Sequence, residues 1–118
     1  MFSLGSSHSY YLYSEPTDMR KSFDSLSGLV RSGMDRDPFG GAVYVFINKQ
    51  RNRIKLLHWE AGGFTLYYKR LEKGQFELPE DSDNTTTIRW SDLMLIVEGI
   101  RLKNVRRVAR FSFKKNDI

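Results

Sequence analysis

Three runs rich in β-branched and aromatic residues lie close together in the middle of this chain, at residues 42–47 (AVYVFI), 54–59 (IKLLHW) and 64–70 (FTLYYKR). Polar residues 48–53 separate the first two runs, and Ala61-Gly62-Gly63 separates the last two. Short runs of this composition, bounded by turn residues, read as β-strands joined in hairpins. Few folds accommodate such a meander. It needs a cover on any face that is apolar, and the rest of the chain must supply that cover. Seven of the chain's 19 basic residues also fall in this stretch: Lys49, Arg51, Arg53, Lys55, Lys69, Arg70 and Lys73.

Strand alternation assigns the faces. In the first run Val43, Val45 and Ile47 oppose Tyr44 and Phe46, so both faces are apolar and the strand is expected at the centre of a sheet, covered on both sides. In the second run Lys55, Leu57 and Trp59 share one face, and Ile54, Leu56 and His58 the other. With Gly62 and Gly63 as the two loop residues, Trp59 faces Leu66 and Leu57 faces Tyr68. The expected core face is then Trp59, Leu57, Phe64, Leu66 and Tyr68. The opposite face, with His58, Thr65, Tyr67 and Lys69, is expected to lie open.

Flanking segments supply the cover. Residues 10–13 (YYLY) are β-prone, and Pro16 ends them. Thr17 or Asp18 can cap a helix, whose apolar stripe is Met19, Phe23, Leu26, Leu29 and Val30; Gly33 stands where a left-handed cap would end it. Residues 35–41 form a loop. Past the meander, Phe76 and Leu78 suggest another short strand, residues 80–84 a turn, and residues 85–90 an edge strand. Ser91 and Asp92 open a second helix with Leu93, Ile96, Val97 and Ile100 buried. The expected architecture is a single α+β domain over residues 1–100, with residues 1–9 flexible. It holds an antiparallel β-meander of about four to six strands packed by two helices. Residues 101–118 form a basic tail whose structure the pattern leaves open between helix, strand and disorder.

Composition narrows the function. A chain of 118 residues fits one domain. Cysteine is absent, which excludes disulfide frameworks and thiolate metal sites. No run of 18 apolar residues and no signal-peptide layout occurs, so a cytoplasmic protein without membrane contact is expected. The net charge of +5 is unevenly spread: residues 41–75 carry 7 basic and 2 acidic residues, and residues 101–118 carry 7 and 1. Residues 76–100 between them carry 1 basic and 6 acidic. Clustered positive charge is the electrostatic footprint of a phosphate binder.

A catalytic site does not emerge. Of the two histidines, His8 lies near the N-terminus and His58 sits on a strand between Leu57 and Trp59, where a histidine is more often a packing or surface residue than a catalyst, since acid–base work needs placed partners. Asp35 with Asp37, and Asp81 with Asp83, read as solvated turns. Asp24, Glu60 and Glu98 have no spacing that forces them into a two-metal site. There is no GxxxxGK[ST] phosphate loop. No catalytic residue, metal or cofactor is therefore expected. The constellation with chemical content is basic residues among aromatics. Lys49, Arg51, Arg53, Lys55, Lys69 and Arg70 are the candidate phosphate contacts, and Tyr67, with His58, is the candidate base-stacking surface on the open face.

Several motifs resemble one family. Residues 18–26, DMRKSFDSL, resemble the D-M-R-K-x-x-D-x-L signature of insertion-sequence accessory proteins. These are the second-open-reading-frame products, called TnpB, of the IS sixty-six group of bacterial mobile elements. Residues 46–59, FINKQRNRIKLLHW, resemble the family's V-F-x-N-R-R-R-D-R-x-K-L-L-x-W, departing at Gln50 and Asn52. Gly63-Phe64, residues 68–72 (YKRLE), Gly74, Phe76 and Pro79 resemble a third motif, and residues 93–100 a closing L-x-x-L-L-E-G-I. The resemblance implies a non-enzymatic accessory protein of transposition, binding DNA, the element's separate transposase, or both. Asp18, Arg20 and Lys21 are the candidate partner contacts. An adaptor without direct DNA contact is the alternative, and a metal-dependent nuclease is a third reading. The number of copies in the working assembly is left open.

Overall fold

The computed structural model describes residues 4–78 and 85–98. Five strands and two helices follow in the order β1 (Tyr10–Tyr13), α1 (Phe23–Met34), β2 (Val43–Ile47), β3 (Arg53–Glu60), β4 (Gly63–Arg70), β5 (Thr85–Ile88) and α2 (Trp90–Val97). They form one α+β domain around a single sheet of strand order β4-β3-β2-β1-β5. The β2–β3–β4 meander is antiparallel, as its sequence requires. β1 departs from that pattern: it lies parallel to β2, because α1 carries the chain back across the sheet between them. β5 then pairs antiparallel with β1 and forms the far edge.

Both faces of the sheet are covered. Tyr44, Phe46 and Leu57 pack under α1 with Leu26, Val30 and Met34. Val43, Val45, Ile47, Ile54 and Leu56 pack under α2 with Leu93, Ile96 and Val97. Every residue of β2 is buried, the outcome expected from its two apolar faces. The face expected to be open is thus the second half of the core. Phe76 is the plug that closes it, fully buried among these residues. It does so from a loop, so the short strand expected around Phe76 and Leu78 does not form over the described residues.

The β3–β4 hairpin keeps the expected faces in a different register. Glu60 pairs with Gly63, Trp59 with Phe64 and Leu57 with Leu66. The loop residues are Ala61 and Gly62, both at positive φ (50° and 80°), as a twisted two-residue hairpin demands. The expected pairing of Trp59 with Leu66 is off by two residues. Such a shift preserves side-chain orientation, which is why the face assignment survives it. Tyr68, expected in the core, is 48% exposed because it stands on the outermost strand, near the end of the hairpin.

Helix boundaries differ from those expected. α1 begins at Phe23, not at Met19: Ser22 is the N-cap, and its amide donates to Ser25 Oγ (2.9 Å). Met19 still packs against the α1-side core, but from the preceding turn. α1 continues past Gly33 to Met34, and Asp35 supplies the left-handed cap (φ 53°). Gly33 has another role, since a Cβ there would sit 3.2 Å from the Tyr13 ring. α2 starts at Trp90 with Arg89 at the N-cap, so Ser91 lies inside the helix rather than capping it. The N-terminal segment folds back on the sheet, where the Tyr10 hydroxyl donates to the Gly5 carbonyl (2.7 Å) and accepts from its amide (3.0 Å). Asp81, Asp83, Gly99, Ile100 and the tail 101–118 lie outside the described residues.

Candidate nucleic-acid interface

The β2–β3 loop is built by one side chain. Asn48 Oδ1 accepts from the amides of Asn52 (3.0 Å) and Arg53 (2.9 Å), and its Nδ2 donates to Asn52 Oδ1 (2.7 Å). Arg51 occupies the left-handed region (φ 59°) to close the loop. Residues 71–76 brace it from behind. The Leu71 amide donates to the Asn52 carbonyl (2.8 Å), the Phe76 amide to the Arg51 carbonyl (2.6 Å), and Gln75 Nε2 to the Gln50 carbonyl (3.0 Å). Lys49 and Arg51 are left exposed on this braced loop, with Arg53 half-buried at its end.

Facing the loop is the turn of residues 16–21. The Thr17 amide donates to the Ile47 carbonyl (2.9 Å) and pins the turn to β2. Asp18 organises it: Oδ1 accepts from the Arg20 amide (2.9 Å), and the Arg20 guanidinium grips the carboxylate, with Nη2 2.6 Å from Oδ2. The Arg20 guanidinium holds the Asp18 carboxyl well below the usual range, at about 2. Between turn and loop runs an open cleft of about 670 Å³ lined by Asp18, Arg20, Asn48, Lys49, Asn52 and Arg53. Two segments read separately in the sequence, one as a partner contact and one as a phosphate contact, thus form the two walls of one site. Its lining carries three cations and one carboxylate, and that carboxylate is already engaged by Arg20.

The other candidates sort by position. Arg70 stands directly opposite Arg53 across the β3–β4 ladder. Arg53 Nη1 donates to the Tyr68 hydroxyl (3.1 Å) and Arg70 pairs with Glu72 (3.0 Å). Opposed like charges destabilise a sheet, so this pair extends the cleft's positive rim at a cost to the fold. Arg51 lies on the other side of the loop, lining a small recess with Glu15 and Leu78.

The remaining candidates are engaged elsewhere in the fold. Lys55 is 5% exposed; its Nζ donates to the carbonyls of Met19 (2.8 Å) and Lys21 (2.7 Å) and lies 4.6 Å from the Tyr68 ring centre. It tethers the 16–21 turn to β3, and its charge is engaged there rather than presented to a phosphate. Lys21 contributes to the site through that carbonyl, with its side chain half-buried. Lys69 donates to the Val97 carbonyl (2.8 Å) at the end of α2, on the face away from the cleft. Tyr67 packs into the α2-side core, where burial raises its phenol pKa. His58, its expected stacking companion, is buried, and its Nε2 lies 3.1 Å from the Gly41 carbonyl. Burial pushes the imidazole pKa down. Tyr67 is therefore covered on the α2 side, and the His58 ring is covered by His8, with ring centres 4.8 Å apart, so the expected stacking surface is not open.

Sequence reasoning missed Asn48. The signal was present, since an Asn beginning a polar loop between two strands is a residue that bonds its own backbone a few positions on. It also passed over the meaning of Lys55 alternating with Leu57 and Trp59, which marks a lysine on a core face. Asp35 and Asp37 occupy turns, as expected: Asp35 caps α1 and Asp37 Oδ1 accepts from the Phe39 amide. Among the described residues no group of three His, Cys, Asp or Glu side chains is placed to hold a metal ion, and no helix is long and apolar enough to cross a membrane.

The family model described as IS66 Orf2 like protein matches residues 8–107. Two proteins of Sinorhizobium fredii (strain NBRC 101917 / NGR234) are similar along most of their length. The uncharacterized protein y4jC is 31% identical over 93 residues, covering 79% of this chain and 80% of that one. The uncharacterized protein y4hO is 30% identical over 84 residues, covering 71% and 73%. No solved structure matches.

Proposed function

We propose that this chain, which belongs to the IS66 Orf2-like family, is a non-enzymatic accessory protein that holds DNA by its phosphate backbone at the 16–21/48–53 cleft. A transposition accessory role fits the family. In this reading the protein acts in the cytoplasm beside a separate transposase that performs the strand chemistry. The observation that carries the DNA contact is the meeting of Arg20, Lys49 and Arg53 in one braced cleft, with the Arg53–Arg70 pair on its rim. A loop locked by Asn48 presents its cations without first having to be ordered, which lowers the entropic cost of binding. The contacts are directed at phosphates, since no helix among the described residues presents side chains to base edges; affinity is then salt-dependent and only weakly sequence-dependent. Asp24, Glu60 and Glu98 stand on α1, β3 and the end of α2. That dispersal supports an accessory rather than a nuclease role.

Binding to duplex ends of the element, measured across salt by mobility shift, tests the proposal. Each cation removed from the cleft (Lys49→Ala, Arg53→Ala, Arg20→Ala) should weaken binding and lower the salt slope by about 0.9 for every phosphate no longer neutralised. Tyr67→Phe should leave both unchanged. Absence of DNA binding at low salt would overturn this reading. Capture of the transposase at high salt, after nuclease treatment, would then favour the adaptor.

A further inference from the structure

Among the described residues β4 is an outer strand of the sheet, with β3 as its one neighbour. Its ladder with β3 runs unbroken from Arg53↔Arg70 to Glu60↔Gly63, with no bulge. Edge strands ordinarily carry a device that blocks a further strand, such as a proline, a bulge, a central charge or short length. β4 has eight residues and no proline, and its two cations, Lys69 and Arg70, stand together at one end. Residues 63–68 carry no such device.

The turn fixes which backbone groups face outward. Glu60 and Gly63 flank a two-residue hairpin loop, and such a pair exchanges both hydrogen bonds. Alternation along the ladder then directs the amides of 63, 65, 67 and 69 toward β3, and those of Phe64, Leu66 and Tyr68 away from it. The large apolar side chains exposed among the described residues are Phe23, Phe39 and Tyr68. Two of them mark the ends of this strand on the α1 face. Tyr68 is on β4 itself, and Phe39 packs on Phe64 with ring centres 5.3 Å apart.

We propose that β4 is a self-association strand: it pairs antiparallel with β4 of a second copy about a two-fold axis at Leu66, joining the two sheets into one. The strand is self-complementary in that arrangement. Directly opposed residues share a face of the sheet, and an axis normal to the sheet keeps the two α1 faces on one side. Leu66 opposes itself, Phe64 opposes the partner's Tyr68, and Thr65 opposes the partner's Tyr67. Lys69 falls across from the partner's Gly63, and Arg70 lies past the last paired residue. No cation meets a cation, and each Phe39–Phe64 cluster is covered by the Tyr68 of the other copy. The outward amides of 64, 66 and 68 all gain acceptors. A parallel in-register pairing would instead set Lys69 against Lys69.

The native chain has no cysteine, which makes a single introduced thiol a clean probe. In full-length Leu66→Cys, a short bis-maleimide should give a covalent dimer, while Thr87→Cys on the opposite edge strand should not cross-link. Sedimentation of the native protein in high salt after nuclease treatment should give twice the chain mass of 13.8 kDa. Tyr68→Ser, at a half-exposed position, should weaken self-association by at least about tenfold. Amide exchange at 64, 66 and 68 should be slow and should speed up on dilution. A monomer at every concentration, a mass above two chains, or cross-linking through residue 87 rather than 66 overturns the proposal. So does exchange protection at those amides that does not change on dilution, which would mean that another part of the same chain covers the edge.

Discussion

Lys55→Met is the substitution that most directly tests how the cleft is held. Methionine keeps the length and apolar stem of the buried side chain and removes only its donors and charge. Two hydrogen bonds from Nζ to the carbonyls of Met19 and Lys21, of 2.8 and 2.7 Å, disappear. Hydrogen bonds from charged groups contribute about 1.5–3 kcal/mol each, and the ammonium over the Tyr68 ring adds about 0.5–1 kcal/mol. Two effects offset part of that loss. Burial of a cation carries a desolvation cost that methionine does not, and the freed carbonyls lie on a turn that water reaches. The net loss is about 2 kcal/mol, which for a chain of this size lowers Tm by about 8 °C. Urea unfolding and a thermal melt measure it. Nuclear magnetic resonance locates it, because amides 19–22 should exchange faster while those of β2 and β3 keep their protection. DNA affinity should fall even though Lys55 offers no charge to solvent. A variant within about 0.5 kcal/mol of the parent, with unchanged turn amides, would refute the tether.

Other perturbations read single interactions. The His58 imidazole has its pKa depressed by burial, so the unfolded chain binds its proton more readily. Stability is full above the unfolded value near 6.5 and falls as pH drops below it; urea midpoints between pH 7.5 and 5 should show this, and His58→Gln should flatten the profile. The Asp18 carboxyl should titrate at about 2 and move back toward 3.8 in Arg20→Gln, with little change in stability because the pair is exposed. Carboxyl-carbon resonances report both values. Lys69→Met should cost about 1 kcal/mol by uncapping the end of α2 and leave DNA binding as it was. Asp35→Gly should stabilise by about 0.5 kcal/mol or more, since φ 53° suits glycine better, as a shift in urea midpoint would show.

Much of this architecture is readable from residue order because strand alternation is a local code. Val43 to Ile47 announce a doubly covered strand, and the α1 and α2 stripes announce the covers. What alternation cannot give is the identity of the neighbour. The insertion of β1 between β2 and β5 depends on where α1 crosses the sheet, and the α2 cover over Ile54, Leu56 and Tyr67 depends on the return of the chain after residue 85. That is why Tyr67, under α2, and His58, under His8, read as an open surface. The site divides the same way. The cations of the 48–53 loop stand out by composition, whereas their meeting with Asp18 and Arg20 rests on Thr17, Asn48 and Lys55, whose bonds span up to 36 residues. Gly33 reads as a stop from its conformational freedom, but it is small because Tyr13 passes close by.

The pairing of β1 with both β2 and β5 also sets a timetable for synthesis. Residues 10–13 leave the ribosome early, yet one of their two neighbours, residues 85–88, appears only about 70 residues later. Until then β1 has a bare edge, while α1 and the two hairpins of β2, β3 and β4 can already pack on one another. The cleft is lined by residues 16–20 and 48–53 and braced by Lys55 and residues 71–76, all of which precede β5. It can therefore assemble on the nascent chain, before the sheet is closed. Closure waits for a pairing between ends of the domain far apart in sequence, the kind of contact that slows folding most.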